Sequence, residues 1–253
     1  MDAFVESLRT AWLLILHADA QLLRVVGLSL GVSGTACLLA AGLGLAGGAA
    51  LAVARFPGRR SVLVVLNTLL ALPSVVVGLV VYLLLSRSGP LGSWGLLFTP
   101  GAMVIAQTVL VVPVVAALTR EAIADSWKQN GEQLTSLGAS RWTAGLLLLW
   151  DERLALLTVL LAAFGRAISE VGAVMIVGGN IDGHTRVMTT AIALETSKGD
   201  LPLALALGMV LLGVVLLLNV LIALVRWWAT HHPGGSSGPA TDAVPVAGGA
   251  ANG

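Results

Sequence analysis

Charge is scarce in this sequence. Only 11% of its 253 residues are Asp, Glu, Lys or Arg, against 57% hydrophobic residues, and the mean hydropathy is +0.94. Those proportions exclude an ordinary soluble domain and predict an integral membrane protein. The net charge of +1 leaves no basic stripe, so nucleic acid is not an expected partner. A single cysteine, Cys37, lies in an apolar run, which removes disulfides and thiolate metal sites from consideration. The histidines are His17, His184 and the pair His231–His232, and none has zinc-ligand spacing on one helix. The phosphate-cradling pattern G-x-x-x-x-G-K-[ST] is missing, so ATP binding by this chain is not expected. Ser/His, paired-Asp and His-Glu-x-x-His arrangements are missing too, which argues against an intramembrane enzyme.

What the sequence does hold is long apolar runs. About 20 apolar residues cross the hydrocarbon core as a helix, and five runs qualify: Val25–Ala54, Ser61–Leu85, Gly101–Leu118, Leu154–Gly178 and Leu201–Val225. Residues 2–20 are apolar but interrupted by Glu6, Arg9, His17 and Asp19, and an interfacial helix is favoured there over a sixth span. The acids at the N-terminus also argue against a secretory signal. From residue 229 to 253 a Gly/Ala/Pro-rich tail without periodicity reads as disordered. Basic residues divide unequally between the two sides. Arg55, Arg59, Arg60, Arg120, Lys128, Arg141, Arg153 and Arg226 fall on one side; Arg9, Arg24, Arg87, Arg186 and Lys198 fall on the other. The larger group marks the cytoplasm, which puts the N-terminus outside and the C-terminus inside. Trp12, Trp94, Trp142, Trp150, Trp227 and Trp228 near the span ends read as interfacial anchors.

Three local features carry further expectations. The first is residues 119–153, about 35 residues between the third and fourth runs, longer than neighbouring helices need. Helix formers of both charge signs and a break at Gly138–Ser140 predict two surface helices joined by a turn. The second is the stretch "GRAISEVGAVMIVGGN" (165–180), where Arg166 and Glu170 interrupt an apolar span. Each charge costs about 2.5–3.5 kcal/mol at mid-helix, so the pair should face away from lipid. At i,i+4 they are expected to share a face and pair, either as a structural bridge or as a gate lining a pathway. A bare carboxylate would repel an anionic cargo, so Arg166 would supply the positive potential. Ser169, Gly178, Gly179, Asn180 and Thr185 form a second group, in which glycines could present backbone N–H groups to an anion or simply end a helix. His184 and Arg186 follow as contacts for an arriving anion or a docking protein. The third feature is glycine spacing: Gly27-x-x-x-Gly31 and Gly44-x-x-x-Gly48 suit close helix packing, within the chain or between copies. Pro73 and Pro113 are expected to kink the second and third spans.

The stretch "EQLTSLGASRW" (132–142) resembles the cytoplasmic E-A-A-x-x-x-G loop of ABC importer permease subunits. Glu132 and Gly138 match at the family's spacing; Gln133 and Leu134 replace its two alanines, and Trp150–Asp151 stand where many members have Leu-Pro. "ALPSVVVGLVVYLLLSRSGPLG" (71–92) is similar to the second span and following loop of oxyanion permeases. "GRAISEVGAVMIVGGNIDGHTRVMTTAIALETSKGD" (165–200) looks most like tungstate permeases within the molybdate, sulfate and tungstate class.

That resemblance implies an all-α integral membrane fold of the type I ABC importer permease. It would comprise about five transmembrane helices, an N-terminal interfacial helix (1–20), a permease domain (21–228) and a coupling-helix loop at about 119–153. Glu132, Gly138, Ala139, Ser140 and Arg141 would dock on a separate ATPase. The implied partners are a second copy of the permease, two ATP-binding subunits, an extracytoplasmic substrate-binding protein, the oxyanion and membrane lipid. No cofactor is implied on this chain; ATP and Mg belong to the partner subunit. The implied location is a bacterial or archaeal plasma membrane. Molybdate or sulfate is the nearest alternative cargo. A gradient-driven secondary transporter is a further alternative, but such proteins often carry an inverted repeat, and none is visible here.

Overall fold

A computed structural model describes residues 2–17 and 19–231. Among them the secondary structure is helical: α1 Asp2–Leu16, α2 Ala20–Val53, α3 Arg59–Leu70, α4 Ser74–Leu85, α5 Pro100–Ser136, α6 Arg141–Asp151, α7 Arg153–Ile168, α8 Gly172–Gly178, α9 Met188–Lys198 and α10 Leu201–His231, plus a 3-10 turn at Gly92–Trp94. Helix α10 runs to His231, into the start of the tail expected from residue 229, and positions 232–253 of that tail lie outside the described residues.

The packing axis is the pair α2 and α5. Asp19 starts α2 by accepting hydrogen bonds from the N–H groups of Gln21 and Leu22. No proline interrupts the 34 residues that follow. At Gly44 an added Cβ would lie 2.7 Å from the Val115 Cβ, and at Gly48 it would lie 2.5 Å from the Ala116 carbonyl oxygen. The two helices therefore touch backbone to backbone, which assigns the Gly44/Gly48 pattern to packing within the chain. At Gly27 and Gly31 nothing lies within 4 Å of an added Cβ, so that pattern stays on an open face. Buried clusters follow one another along this axis. One holds Leu22, Val25, Met188 and Leu207; the next Cys37, Ala40, Val111, Val115 and Ala163; the last Ala49, Val53, Ile123 and Leu148.

Helices α2, α5 and α10 are each long and apolar enough to cross a membrane. The other two expected spans are broken. Helices α3 and α4 bend by 100° at Ala71–Pro73, and α7 and α8 bend by 56° at Ser169–Val171. Pro73 stands immediately before α4, where its missing N–H and fixed φ separate the two helices. Pro113, by contrast, is buried inside α5, which continues through it as one helix.

The region expected to hold two surface helices has a helix on each side of the Gly138–Ser140 break, but the first is not separate from the third span. No strong breaker stands between Leu118 and Ser136, so α5 runs straight out of the third span to Ser136, and only α6 is a separate helix. The segment after Gly179, which falls between the fourth and fifth apolar runs, contains α9. Helix α1 has 15 residues, about 22 Å of helix and short of a bilayer core. It packs on α10 and buries Ala11 completely.

The close approach gives a direct test. Gly48→Leu should destabilise the purified chain by about 1–3 kcal/mol through overpacking, read as a lowered melting temperature in detergent. Gly31→Leu, on the open face, should leave the melting temperature within a degree or so of wild type.

Candidate functional site

The break between α7 and α8 is where the charged residues of the fourth span lie. Arg166 is in the last turn of α7 and exposed, whereas α7 ends at Ile168. Glu170 therefore falls in the break rather than one helical turn above Arg166. Its Oε1 accepts a hydrogen bond from the Ala173 N–H at 3.3 Å and caps the start of α8. No ion pair joins Arg166 to Glu170, and Arg166 has no carboxylate partner among the described residues. The expected i,i+4 bridge is thus replaced by a carboxylate on a helix N-terminus, where the macrodipole favours it.

Two carbonyls at the break accept from side chains on other elements. The Gln107 Nε2, on buried α5 surface, donates to the Ala167 carbonyl at 2.9 Å, and the Thr189 Oγ1 donates to the Glu170 carbonyl at 2.8 Å. Ser169 turns back to the Gly165 carbonyl. Gln107 was not singled out from the sequence; its signal was a lone amide within the apolar run Gly101–Leu118, where an unsatisfied polar group is costly. Its Oε1 is buried without a partner among the described residues. The second broken span meets the first here: a Cβ at Gly172 would lie 2.7 Å from Val75 Cγ2, and one at Gly78 would lie 2.7 Å from the Ala173 Cα.

Gly178, Gly179, Asn180 and Thr185 form a closed turn at the far end of α8. Gly179 has φ +69 and Asn180 φ +52, the left-handed conformations that reverse the chain. Thr185 is 1% exposed; its Oγ1 donates to the Gly178 carbonyl and accepts from the Ile181 N–H. The Gly179 N–H goes to the Met175 carbonyl, and the Asn180 Nδ2 goes to the Thr190 carbonyl. These groups hold the turn together, so the N–H groups of Gly179 and Ile181 are not presented to a ligand. What the turn displays instead is Asp182, Gly183 and His184, all exposed, with Arg186 beneath them.

At the opposite end of the helical body, Glu132, Gly138, Ala139, Ser140 and Arg141 are brought together at the α5–α6 junction. Gly138 has φ +82; its N–H bonds to the Thr135 carbonyl and the Ala139 N–H bonds to the Leu134 carbonyl, a Schellman end to α5. Ser140 then caps α6 by accepting from the Thr143 N–H. The turn projects Leu137 at 81% exposure, with Trp142 and Trp150 also exposed on α6. Beside it runs an open groove lined by Arg55, Trp127, Lys128, Glu132, Ser136 and Arg141. Buried Ala144 and Leu148 seat α6 on the ends of α2 and α5. Trp142 and Trp150, read from the sequence as interfacial anchors, are both exposed, Trp142 next to the turn and Trp150 at the far end of α6.

No family model matches the chain. Similar proteins are nonetheless clear along nearly its whole length. It is 42% identical over 222 residues to the tungstate uptake system permease protein TupB of Peptoclostridium acidaminophilum, covering 88% of this chain and 97% of that one. It is 44% identical over 210 residues to a probable anion ABC transporter permease protein of Haloferax volcanii, covering 81% and 90%. With the tungstate uptake system permease protein TupB of Campylobacter jejuni it shares 36% identity over 219 residues, covering 87% and 92%. Taken with its apolar helices, these likenesses make the chain a multi-pass membrane protein that belongs to the family of anion ABC transporter permeases including the tungstate uptake permeases.

Proposed function

We propose that this chain is the membrane-spanning subunit of an ATP-driven importer that carries tungstate across a bacterial or archaeal plasma membrane by alternating access. The observation that carries the reading is the near full-length likeness to two tungstate uptake permeases. Its fold is read as that of a type I importer permease, acting as two copies with a pathway between them. ATP and Mg are held by two separate ATP-binding subunits, and a substrate-binding protein delivers the anion from outside. The α5–α6 turn supports a docking role: it is exposed, held in shape by Gly138, and rimmed by large apolar side chains that a partner would cover. The concentration of Arg55, Arg59, Arg60 and Arg141 at that end supports its placement in the cytoplasm, with the N-terminus outside and α1 in the outer interface.

Arg166 supports a pathway at a copy–copy interface. It is exposed on a span with no carboxylate partner among the described residues, and such a charge is expensive against lipid. A facing copy or a water-filled path removes that cost, and the positive potential suits a dianion. Glu170 keeps its carboxylate turned to the α8 N-terminus, which partly neutralises it beside that path. Ser169 adds a hydroxyl on the exposed side.

Three outcomes follow. In the complete complex, uptake of tungstate should resist competition by tenfold excess sulfate; equal transport of tungstate, molybdate and sulfate would leave the architecture but remove the cargo assignment. Arg166→Gln and Glu170→Gln should each reduce uptake, and their losses should add to within about 0.5 kcal/mol in the double variant, because the two residues act on different partners. Gly138→Val forces a β-branched residue into left-handed backbone at a cost of about 1–2 kcal/mol; it should weaken co-purification with the ATP-binding subunits while the isolated chain still inserts and folds.

A further inference from the structure

Between the first turns of α2 and the loop leading to α9 lies a half-open cleft of about 450 Å³, its open mouth included. Gln21, Arg24, Asp182, His184 and Arg186 supply its polar lining, and Val25 and Leu28 supply apolar surface beside them. It sits at the end of the helical body opposite the α5–α6 turn. Two guanidiniums and one carboxylate line it, and a second carboxylate, Glu195, stands behind Arg186 with Lys198 beside it. The cleft is also separate from the closed turn of Gly178, Gly179 and Thr185, which only supports it.

Arg186 is the fixed element. Its side chain is 11% exposed, and its Nε is buried with no partner among the described residues. Two carboxylates flank its Nη1, and they differ in kind. Glu195, 5% exposed, stands behind at 3.8 Å and also receives Lys198 at 3.1 Å. Asp182, 67% exposed, stands in front at 3.1 Å on a turn completed by Gly183 at φ +68. The rear carboxylate holds the guanidinium in place; the front one covers it from the solvent side. Arg24, one turn into α2, adds a second planar donor suited to oxygen anions, and Gln21 and His184 add neutral donors.

We propose that this cleft receives a tetrahedral dianionic oxyanion at the outer mouth of the protein, and that Asp182 occupies Arg186 until the anion displaces it. One carboxylate is exchanged for a dianion at the same guanidinium, so Arg186 remains paired throughout. Arg24 supplies the second positive charge that a dianion needs and Asp182 does not. Site and exchange rest on the cleft alone; the identity of the oxyanion as tungstate rests on the transport reading above.

The test uses the full chain in complex with its ATP-binding subunits, in detergent, without the substrate-binding protein. Sodium tungstate and sodium sulfate are titrated against sodium chloride at matched ionic strength, following the melting temperature. A saturable rise with the dianions and none with chloride is expected. Arg24→Gln, at an exposed position, should weaken the apparent affinity about tenfold by removing one charged contact. Asp182→Asn should strengthen it several-fold, since the competitor is gone; a merely structural Asp182 would lower stability and leave affinity unchanged. Arg186→Gln should abolish the response, and the two exposed-site variants decide the matter if that variant fails to fold. The proposal is overturned by an absent response in the wild type, by an unchanged affinity in Arg24→Gln, or by unchanged or weaker binding in Asp182→Asn. It is also overturned if Arg24→Gln spares anion binding but weakens the substrate-binding protein, which would make the cleft a docking face. Tungstate uptake by the complete complex despite an absent response would sink the cleft and spare the transport reading. Binding at the cleft with no tungstate uptake would do the reverse.

Discussion

The structure depends on the contact between α2 and α5. Inside a membrane, apolar side chains gain little by leaving lipid for one another, so helix association relies on close packing and on satisfied polar groups. Gly44 and Gly48 bring α2 against the backbone of Val115 and Ala116, and the buried clusters are stacked along that seam. Every other element is placed against one of these two helices or against a helix that is. Helix α6 rests on their common end, α4 and α8 on the other half of α5, and α7 on both.

A second constraint is that a broken helix must hide its loose ends. The α7–α8 break interrupts the helical ladder, and two of its carbonyls accept from side chains on other elements: Gln107 from α5 for Ala167, Thr189 from α9 for Glu170. Ser29 on α2 does the corresponding service for α9 by accepting the Met188 N–H at 2.7 Å. These isolated polar residues in apolar helices are therefore cross-links between elements. They also explain how a carboxylate is tolerated here, since Glu170 acts as a capping group rather than a free charge.

Much of this was legible in the sequence. The five apolar runs appear as three continuous helices and two bent pairs, the break at Pro73 falls where a proline demands it, and Gly138 ends α5 as a left-handed turn. What periodicity could not show was where polar helix stops. The stretch from Thr119 to Ser136 has no strong breaker, so a change from apolar to charged composition was mistaken for the end of a helix. Arg166 and Glu170 were misjudged for the converse reason. Their i,i+4 spacing means a shared face only while the helix is intact, and nothing in "RAISE" announces a break. Gln107 and the Asp182–Arg186–Glu195 group were harder still, because each acquires meaning from partners far off in sequence or in a loop.

The meeting of the two breaks has a mechanical consequence. Helices α4 and α8 each follow a bend, and they interlock at Gly78 on Ala173 and at Gly172 on Val75, with no room for a methyl group between them. Neither half-helix can swing without carrying the other. A tilt of either half-helix therefore has to be shared with the other at these two contacts.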